Sequence, residues 1–319
     1  MPENRYEKGP RPGQDRYVAP PEKVKVGAID AIAEDEAPSS LWGDAWREMR
    51  SRPLFWVALT IITAALFVSF FPGLVATQEP RNCDLGESLL PPGPDHFFGT
   101  TKDGCDIYSR VIFGARASVT VGVLATAFVV ILGGAIGAVA GYVGGWVDTI
   151  LSRLTDIFFA LPFVLAAIVI LSLLPDRNSF AVALVLASFG WTSIARITRG
   201  SVLSVKNNEF VTAAKALGMG KIGILLKHAL PNAAAPIIVY ATVALGTFVV
   251  AEATLTFLGI GLPPGVVSWG GDLSNGQQSI RQAPEVLIYP GAALALTVLG
   301  FIMMGDVVRD ALDPKARKR

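Results

Sequence analysis

Six apolar stretches, each long enough to cross about 30 Å of hydrocarbon at about 1.5 Å per helical residue, decide what this 319-residue chain can fold into. They lie at 54–76, 117–142, 150–174, 180–199, 233–260 and 287–308. Hydrocarbon offers no water to unpaired backbone groups, so spans of this length are helices. Composition agrees, with 52% hydrophobic residues and with the 17% charged residues gathered into a few segments. The chain is therefore read as an all-α polytopic membrane protein with six transmembrane helices. Only 175–179 divides the third stretch from the fourth, so a single bent hairpin is the alternative there.

Orientation follows from where Lys and Arg fall, because cytoplasmic loops carry the excess. With the N-terminus inside, cytoplasmic segments hold 21 of the 27: nine before the first span, Arg153, six from Arg196 to Lys227 and five from Arg309 to Arg319. The other side receives Arg81, Lys102, Arg110, Arg177 and Arg281, with Arg116 at a boundary. Both termini are thus expected in the cytoplasm and the chain in the plasma membrane. Residues 1–40 are Pro-rich and poor in apolar side chains, which predicts a disordered cytoplasmic tail. Over 41–53, Leu41, Trp42, Trp46 and Met49 predict an interfacial helix on the inner leaflet, against the alternative of a slightly apolar end of the tail. The first apolar run begins only near 54 and is long enough to stay in the membrane, so no cleaved signal peptide is expected and 54–319 forms the six-span domain.

Between the fourth and fifth spans, residues 207–232 are polar yet ordered. Phe210, Ala213, Ala214 and Leu217 recur at i, i+3, i+4 and i+7, one apolar stripe on a short helix that Gly218 and Gly220 interrupt. Ile222, Leu225, Leu226 and Ala229 repeat the spacing until Pro231, which is expected to stop the helix, while Lys215, Lys221 and Lys227 take the other faces. Two amphipathic helices outside the membrane suggest a docking element that offers its apolar stripe to a groove on a soluble partner.

Cys83 and Cys105 are the only cysteines, and both fall in the loop after the first span, on the oxidising side. A disulfide would close a loop of about 22 residues and contribute about 3 kcal/mol in the chain-entropy model; two unrelated thiols are the alternative. His96, Asp95, Asp103 and Asp106 are too scattered to be read as a metal site. Residues 261–284 are rich in Gly and Pro and hold Trp269, which predicts a folded turn at the interface. An ionisable side chain within a span is a functional candidate by default. Glu252 lies about 30 Å of helix beyond Asn232, near the outer boundary, where it is either satisfied by the outer loop or lines or gates a pathway. Arg196 and Arg199, with Asp306, Arg309, Asp310 and Asp313, are expected to anchor the inner interface and pair with one another, the alternative being contact with substrate. Gly133, Gly137, Gly141 and Gly145 recur every four residues and predict close helix packing, within the chain or against a partner.

Catalytic machinery is not expected. Gly220 and Lys221 lack the surrounding Gly and Ser/Thr of a phosphate-cradling loop, and no C-x-x-C, H-E-x-x-H or G-x-S-x-G occurs. The short basic run 315–319 fits membrane lipid rather than nucleic acid.

Four motifs carry a family resemblance. Ala213, Ala214, Gly218, His228, Ala229, Leu230 and Pro231 resemble the cytoplasmic coupling motif of ABC importer permeases, with Thr212 and His228 departing from the general pattern toward its peptide-importer branch. Gly99, Thr100, Gly104, Asp106, Ser109, Arg110, Gly114, Arg116 and Ser118 match a run in the same branch, where Cys105 replaces the usual Arg and makes any disulfide particular to this chain. Glu252, Leu255, Phe257, Gly259, Gly261, Pro263, Pro264, Trp269 and Gly270 are similar to its outer-loop pattern, as 305–315 is to its terminus. The resemblance implies the type I ABC importer permease fold and the second, C-type permease subunit of a dipeptide or oligopeptide importer. It implies as partners a homologous permease, one or two ATP-binding subunits that hold ATP and Mg, and an extracytoplasmic binding protein, with no cofactor in this chain. It also implies that Glu209, Phe210, Ala213, Ala214, Leu217, Gly218, His228, Leu230 and Pro231 couple to the ATPase.

Three other readings remain at this point. A nickel or other small-solute importer of the same branch shares these motifs. An ATP-independent secondary transporter would place polar or charged groups at a broken helix near mid-membrane, and the sequence shows no convincing one. A membrane adaptor would transport nothing.

Overall fold

The computed structural model describes residues 41–312. The tail expected over 1–40 and the end of the terminal motif, with Asp313 and Lys315, lie outside the described residues.

α1 (Leu41–Ser51) precedes α2 (Pro53–Phe70), where Pro53 takes the first helical position at which its missing N–H costs nothing. α2 ends before residue 76: Phe71 leaves the helix and a 3₁₀ turn, Pro72–Leu74, follows. α3 (Ile107–Val143) starts well before residue 117. Its early turns are polar but satisfied: Asp106 Oδ2 accepts from Ser109 N at 2.8 Å, and Arg116 donates to the Ser69 and Phe70 carbonyls at the end of α2, both at 3.2 Å.

The third expected span is broken. α4 (Gly145–Ala160) and α5 (Phe163–Leu173) meet at an 80° bend. Pro162 causes it, because the residue before a proline is pushed out of the helical region. Leu161 stands at φ −77, ψ 128 and Pro162 itself at φ −61, ψ 109. α6 (Ser179–Val205), α9 (Leu230–Phe257) and α11 (Glu285–Leu312) complete the long helices.

Close approach fixes the topology. A β-carbon on Gly133 would overlap Trp191 O and Ile194, one on Gly137 would overlap Ala195 O, and one on Gly141 would crowd Arg199 O. Rising positions on α3 thus meet rising positions on α6, and the two helices run parallel. The glycine stripe serves packing inside the subunit, except Gly145, which lies beyond α3 and meets nothing within 4 Å. Since α3 and α6 are parallel, α4 and α5 together must carry the chain back along the bundle. The bent pair therefore counts as one crossing, and the described helices cross six times. α9 is antiparallel to α3, with Gly122 against Val249, and α11 is antiparallel to both α9 and α2, with Gly246 against Val298 and Gly300 against Ile61.

The largest buried cluster holds Val121, Leu171, Leu186, Ile194, Phe248 and Leu255, where α3, α5, α6 and α9 meet. Lipid tails are as apolar as these side chains, so shape fit and close backbones hold the helices together here. Ion pairs tie the crossings at the end shared by α4, the close of α6 and the close of α11. Arg196 meets Asp156 at 2.9 Å, Arg199 meets Asp148 at 2.5 Å, and Arg52 meets Asp310 at 2.5 Å, so Arg196, Arg199 and Asp310 pair with α4 and the start of α2 and not with one another as expected.

Candidate functional site

The polar stretch folds as linked short helices at that same end. α7 (Glu209–Ala216) follows a tight turn in which Asn208 O accepts from Val211 N and Thr212 N at 3.1 and 3.2 Å. Glu209 in its first turn and Lys215 in its last complement the helix dipole. α7 closes in a Schellman motif: Met219 N donates to Ala214 O at 3.1 Å, Gly218 N donates to Lys215 O at 3.0 Å, and Gly218 stands at φ +81. A β-carbon there would meet nothing within 4 Å, so Gly218 is required for its left-handed backbone and not for space.

α8 (Lys221–Ile224) passes through a π turn, Leu225–Ala229, directly into α9. Pro231 does not stop this helix, contrary to expectation; it sits in the first turn of α9. A proline ring clashes with the carbonyl four residues back in an α-helix, and the wider π turn just before it supplies the room. Asn232 Nδ2 donates to the His228 carbonyl at 2.7 Å.

The element has two faces, and they divide the expected stripes. Val211, Ala214, Ile224 and Ala229 are buried against Val202, Val205, Ala138 and Tyr142. Phe210, Ala213 and Leu217 point outward, with Leu217 88% exposed, and Met219, Ile222 and Leu226 extend the outward surface. Spacing groups Ala214 with Phe210 and Leu217 and Ala229 with Ile222 and Leu226, yet both alanines lie on the inner face, and Val211 and Ile224 are inward residues outside both stripes. At 100° per residue, Val211 and Ala214 flank one side of α7 and Phe210, Ala213 and Leu217 the other; two narrow stripes look like one broad stripe in a linear pattern. Glu209, Gly218 and Pro231 are exposed, and His228 and Leu230 are half-buried.

The opposite end of the bundle is built differently. Cys83 and Cys105 are joined by a disulfide. Asp84 N donates to Gly104 O at 3.2 Å, and Gly104 lies so close that a β-carbon would overlap Asp84 O. His96 is buried, with Nδ1 3.1 Å from Asp106 Oδ1 and Nε2 3.3 Å from Glu87 Oε2. α10 (Trp269–Gly276) packs its buried Trp269 on α3, with Nε1 donating to Val111 O at 2.9 Å. Arg110 Nε donates to Asp272 Oδ1 at 2.8 Å in a buried ion pair. Burial pushes the Asp272 carboxyl upward, and the Arg110 guanidinium opposes that shift.

Glu252 is 0% exposed, enclosed by this subunit alone. Its Oε1 accepts from Thr256 Oγ1 at 2.8 Å, and Thr256 Oγ1 accepts from Leu262 N at 3.0 Å, so the carboxylate is linked to the loop that follows α9. Ser118 lies beside it on α3, but neither Ser118 Oγ nor Glu252 Oε2 reaches hydrogen-bond geometry.

Residues 133–318 match the family described as binding-protein-dependent transport system inner membrane component, and residues 40–92 match the N-terminal TM domain of oligopeptide transport permease C. The chain is similar to the dipeptide transport system permease protein DppC of Alkalihalophilus pseudofirmus, 38% identical over 279 residues that cover 87% of this chain and 91% of the relative. It is similar to the oligopeptide transport system permease protein OppC of Bacillus subtilis, 36% identical over 93% of this chain and 97% of the relative. It also resembles the glutathione transport system permease protein GsiD of Escherichia coli, 34% identical over 92% of this chain and 97% of the relative.

Proposed function

Because the chain belongs to the binding-protein-dependent transport system inner membrane components, the non-catalytic membrane subunits of ATP-driven importers, we propose that it works as one of two homologous permeases in an importer of dipeptides or oligopeptides. Both termini and the 207–231 element face the cytoplasm in this reading, which the Lys and Arg distribution supports. One or two ATP-binding subunits lie beneath and hold ATP and Mg; this chain holds no cofactor. A binding protein delivers peptide at the end of the bundle that carries α10 and the disulfide.

The observation that carries the coupling role is the two-faced element itself. Its outward residues Phe210, Leu217, Ile222 and Leu226 form an apolar surface outside the spans, suited to a cleft on the ATPase. Its inward residues Val211, Ala214, Ile224 and Ala229 pack on α3, α6 and α9, so a displacement of the outer face moves the crossings with it. The unbroken passage from α8 into α9 gives that displacement a direct helical lever. Glu252, enclosed and linked to Leu262, serves to hold the outer loop on α9 rather than to line the path.

The test is reconstitution of the complete complex in vesicles, with uptake of labelled di-, tri- and pentapeptides, glutathione and nickel measured with and without ATP and binding protein. ATP-dependent uptake of peptides supports the reading. Uptake of nickel alone, or ATP-independent uptake, would overturn it.

A further inference from the structure

The passage from α8 into α9 changes helical step, and the buried residues record the change. Ile224, Ala229, Ala233 and Ile237 are all buried, at spacings of five, four and four. Positions four apart share a face of an α-helix, whereas positions five apart share one only across the wider π turn. At that step Leu230 N donates to Leu225 O, five residues back. The π turn therefore brings Ile224 inward and throws Ile222 and Leu226 outward, where they are 75% and 57% exposed.

The same residues carry a second register. Continued back from Ala229 as a plain α-helix, the chain would place Leu226, Leu225 and Ile222 on the inward face, three, four and seven residues away, and would carry Ile224 out. Leu225 would then stand where Ile224 stands, in the cluster that holds Val202, Val205, Val211 and Ala214. It is an isomer of the same volume, already packed against that cluster, so the exchange conserves the packing volume. Residues 217–220 link α7 to α8 and include Gly218 and Gly220, the residue type with the widest choice of backbone angles. Pro231 decides between the registers. In the α register its ring would clash with the carbonyl of Lys227, four residues back, and the π turn removes that clash.

We propose that the π turn is a rolling joint: α8 turns by one residue, about 100°, between a π register that presents Ile222 and Leu226 and an α register that withdraws them, with Pro231 biasing it to the first. The roll takes place about the axis of the continuous helix that α8 and α9 form. The joint rests on the docking role proposed above and gives that role a switch. An ATPase subunit that binds Ile222 and Leu226 binds one register only and so draws α8 into it. Each roll exchanges Ile224 and Leu225 against the residues of α3 and α6 in the inner cluster.

The experiment places single cysteines, Ile222→Cys or Ile224→Cys, in the full chain produced with its partner permease, with or without the ATPase subunits, and labels inside-out vesicles with a membrane-impermeant maleimide. Without the ATPase, Ile222→Cys is expected to label about tenfold faster than Ile224→Cys, and Pro231→Ala to reverse that order. Pro231 is exposed and alanine is the strongest helix former, so the Pro231→Ala chain should accumulate normally. Deleting Lys227 from the Pro231→Ala chain sets Ile224 four residues from Ala229, so the original order should return on a plain α-helix. With the ATPase present, Ile222→Cys should be protected, and Ile224→Cys in the Pro231→Ala chain should return to slow labelling. Unchanged labelling in the Pro231→Ala chain, or a deletion that fails to restore the order, would overturn the joint while leaving docking intact. Failure of the ATPase to protect Ile222→Cys in the otherwise wild-type chain would instead strike the docking role.

Discussion

The two ends of the bundle are secured by opposite means. At the α10 end a disulfide, a buried ion pair and a buried tryptophan hydrogen bond join the loops to α3, and β-carbons at Gly104, Gly261 and Gly270 would overlap neighbouring backbone. At the other end the 207–231 element is held by one apolar face, and its outer face is left apolar and uncovered. The first end keeps its shape with its own contacts. In the function proposed above an ATPase subunit completes the second, where Gly218 and Gly220 have no atom within 4 Å of their Cβ positions.

The contrast can be broken most strongly at Gly104. With φ +75 and Asp84 O in the way, Gly104→Val should cost more than about 4 kcal/mol and prevent accumulation in the membrane, whereas Gly220→Val, which meets open space, should accumulate normally on an immunoblot. Next comes the buried pair: Arg110→Met leaves Asp272 uncompensated and should cost about 3–5 kcal/mol in thermal unfolding of the purified complex, with most of that recovered in Arg110→Met/Asp272→Leu. Replacing both cysteines by serine should cost about 3 kcal/mol at most and raise protease sensitivity near 83–105 without changing ATPase affinity. Gly218→Val forces a β-branched residue into the left-handed region at about 1–2 kcal/mol; uptake should be abolished while insertion persists, and Gly218→Asn should retain part of it. The smallest stability change belongs to Leu217→Asp/Ile222→Asp, within about 0.5 kcal/mol because both are exposed, although co-purification of ATPase subunits should fall at least tenfold.

Hydropathy made the six crossings legible because hydrocarbon thickness imposes length directly, and periodicity made the short helices within 207–231 legible. What it could not reveal was set by local backbone chemistry or by distant partners. The bend at Leu161 depends on Pro162 pushing its neighbour extended, yet Pro236 and Pro290 remain inside α9 and α11, so proline alone does not mark a break. The early start of α3 was hidden by Arg110 and Arg116, which look like loop charges until Asp272 and the end of α2 supply their partners. Pro231 reads as a stop unless the π turn before it is known. Glu252 left two readings open because a sequence does not say that Thr256 donates to it and in turn accepts from Leu262 N.

The most direct test of the outward face uses single cysteines at Leu217 and Val211 in a chain whose only native cysteines, Cys83 and Cys105, are joined. A membrane-impermeant maleimide would be applied to inside-out vesicles with and without the ATPase subunits. Leu217→Cys should label rapidly alone and be protected by the ATPase, while Val211→Cys should stay unlabelled in both. Equal labelling of Leu217→Cys with and without a bound ATPase would contradict docking through this face.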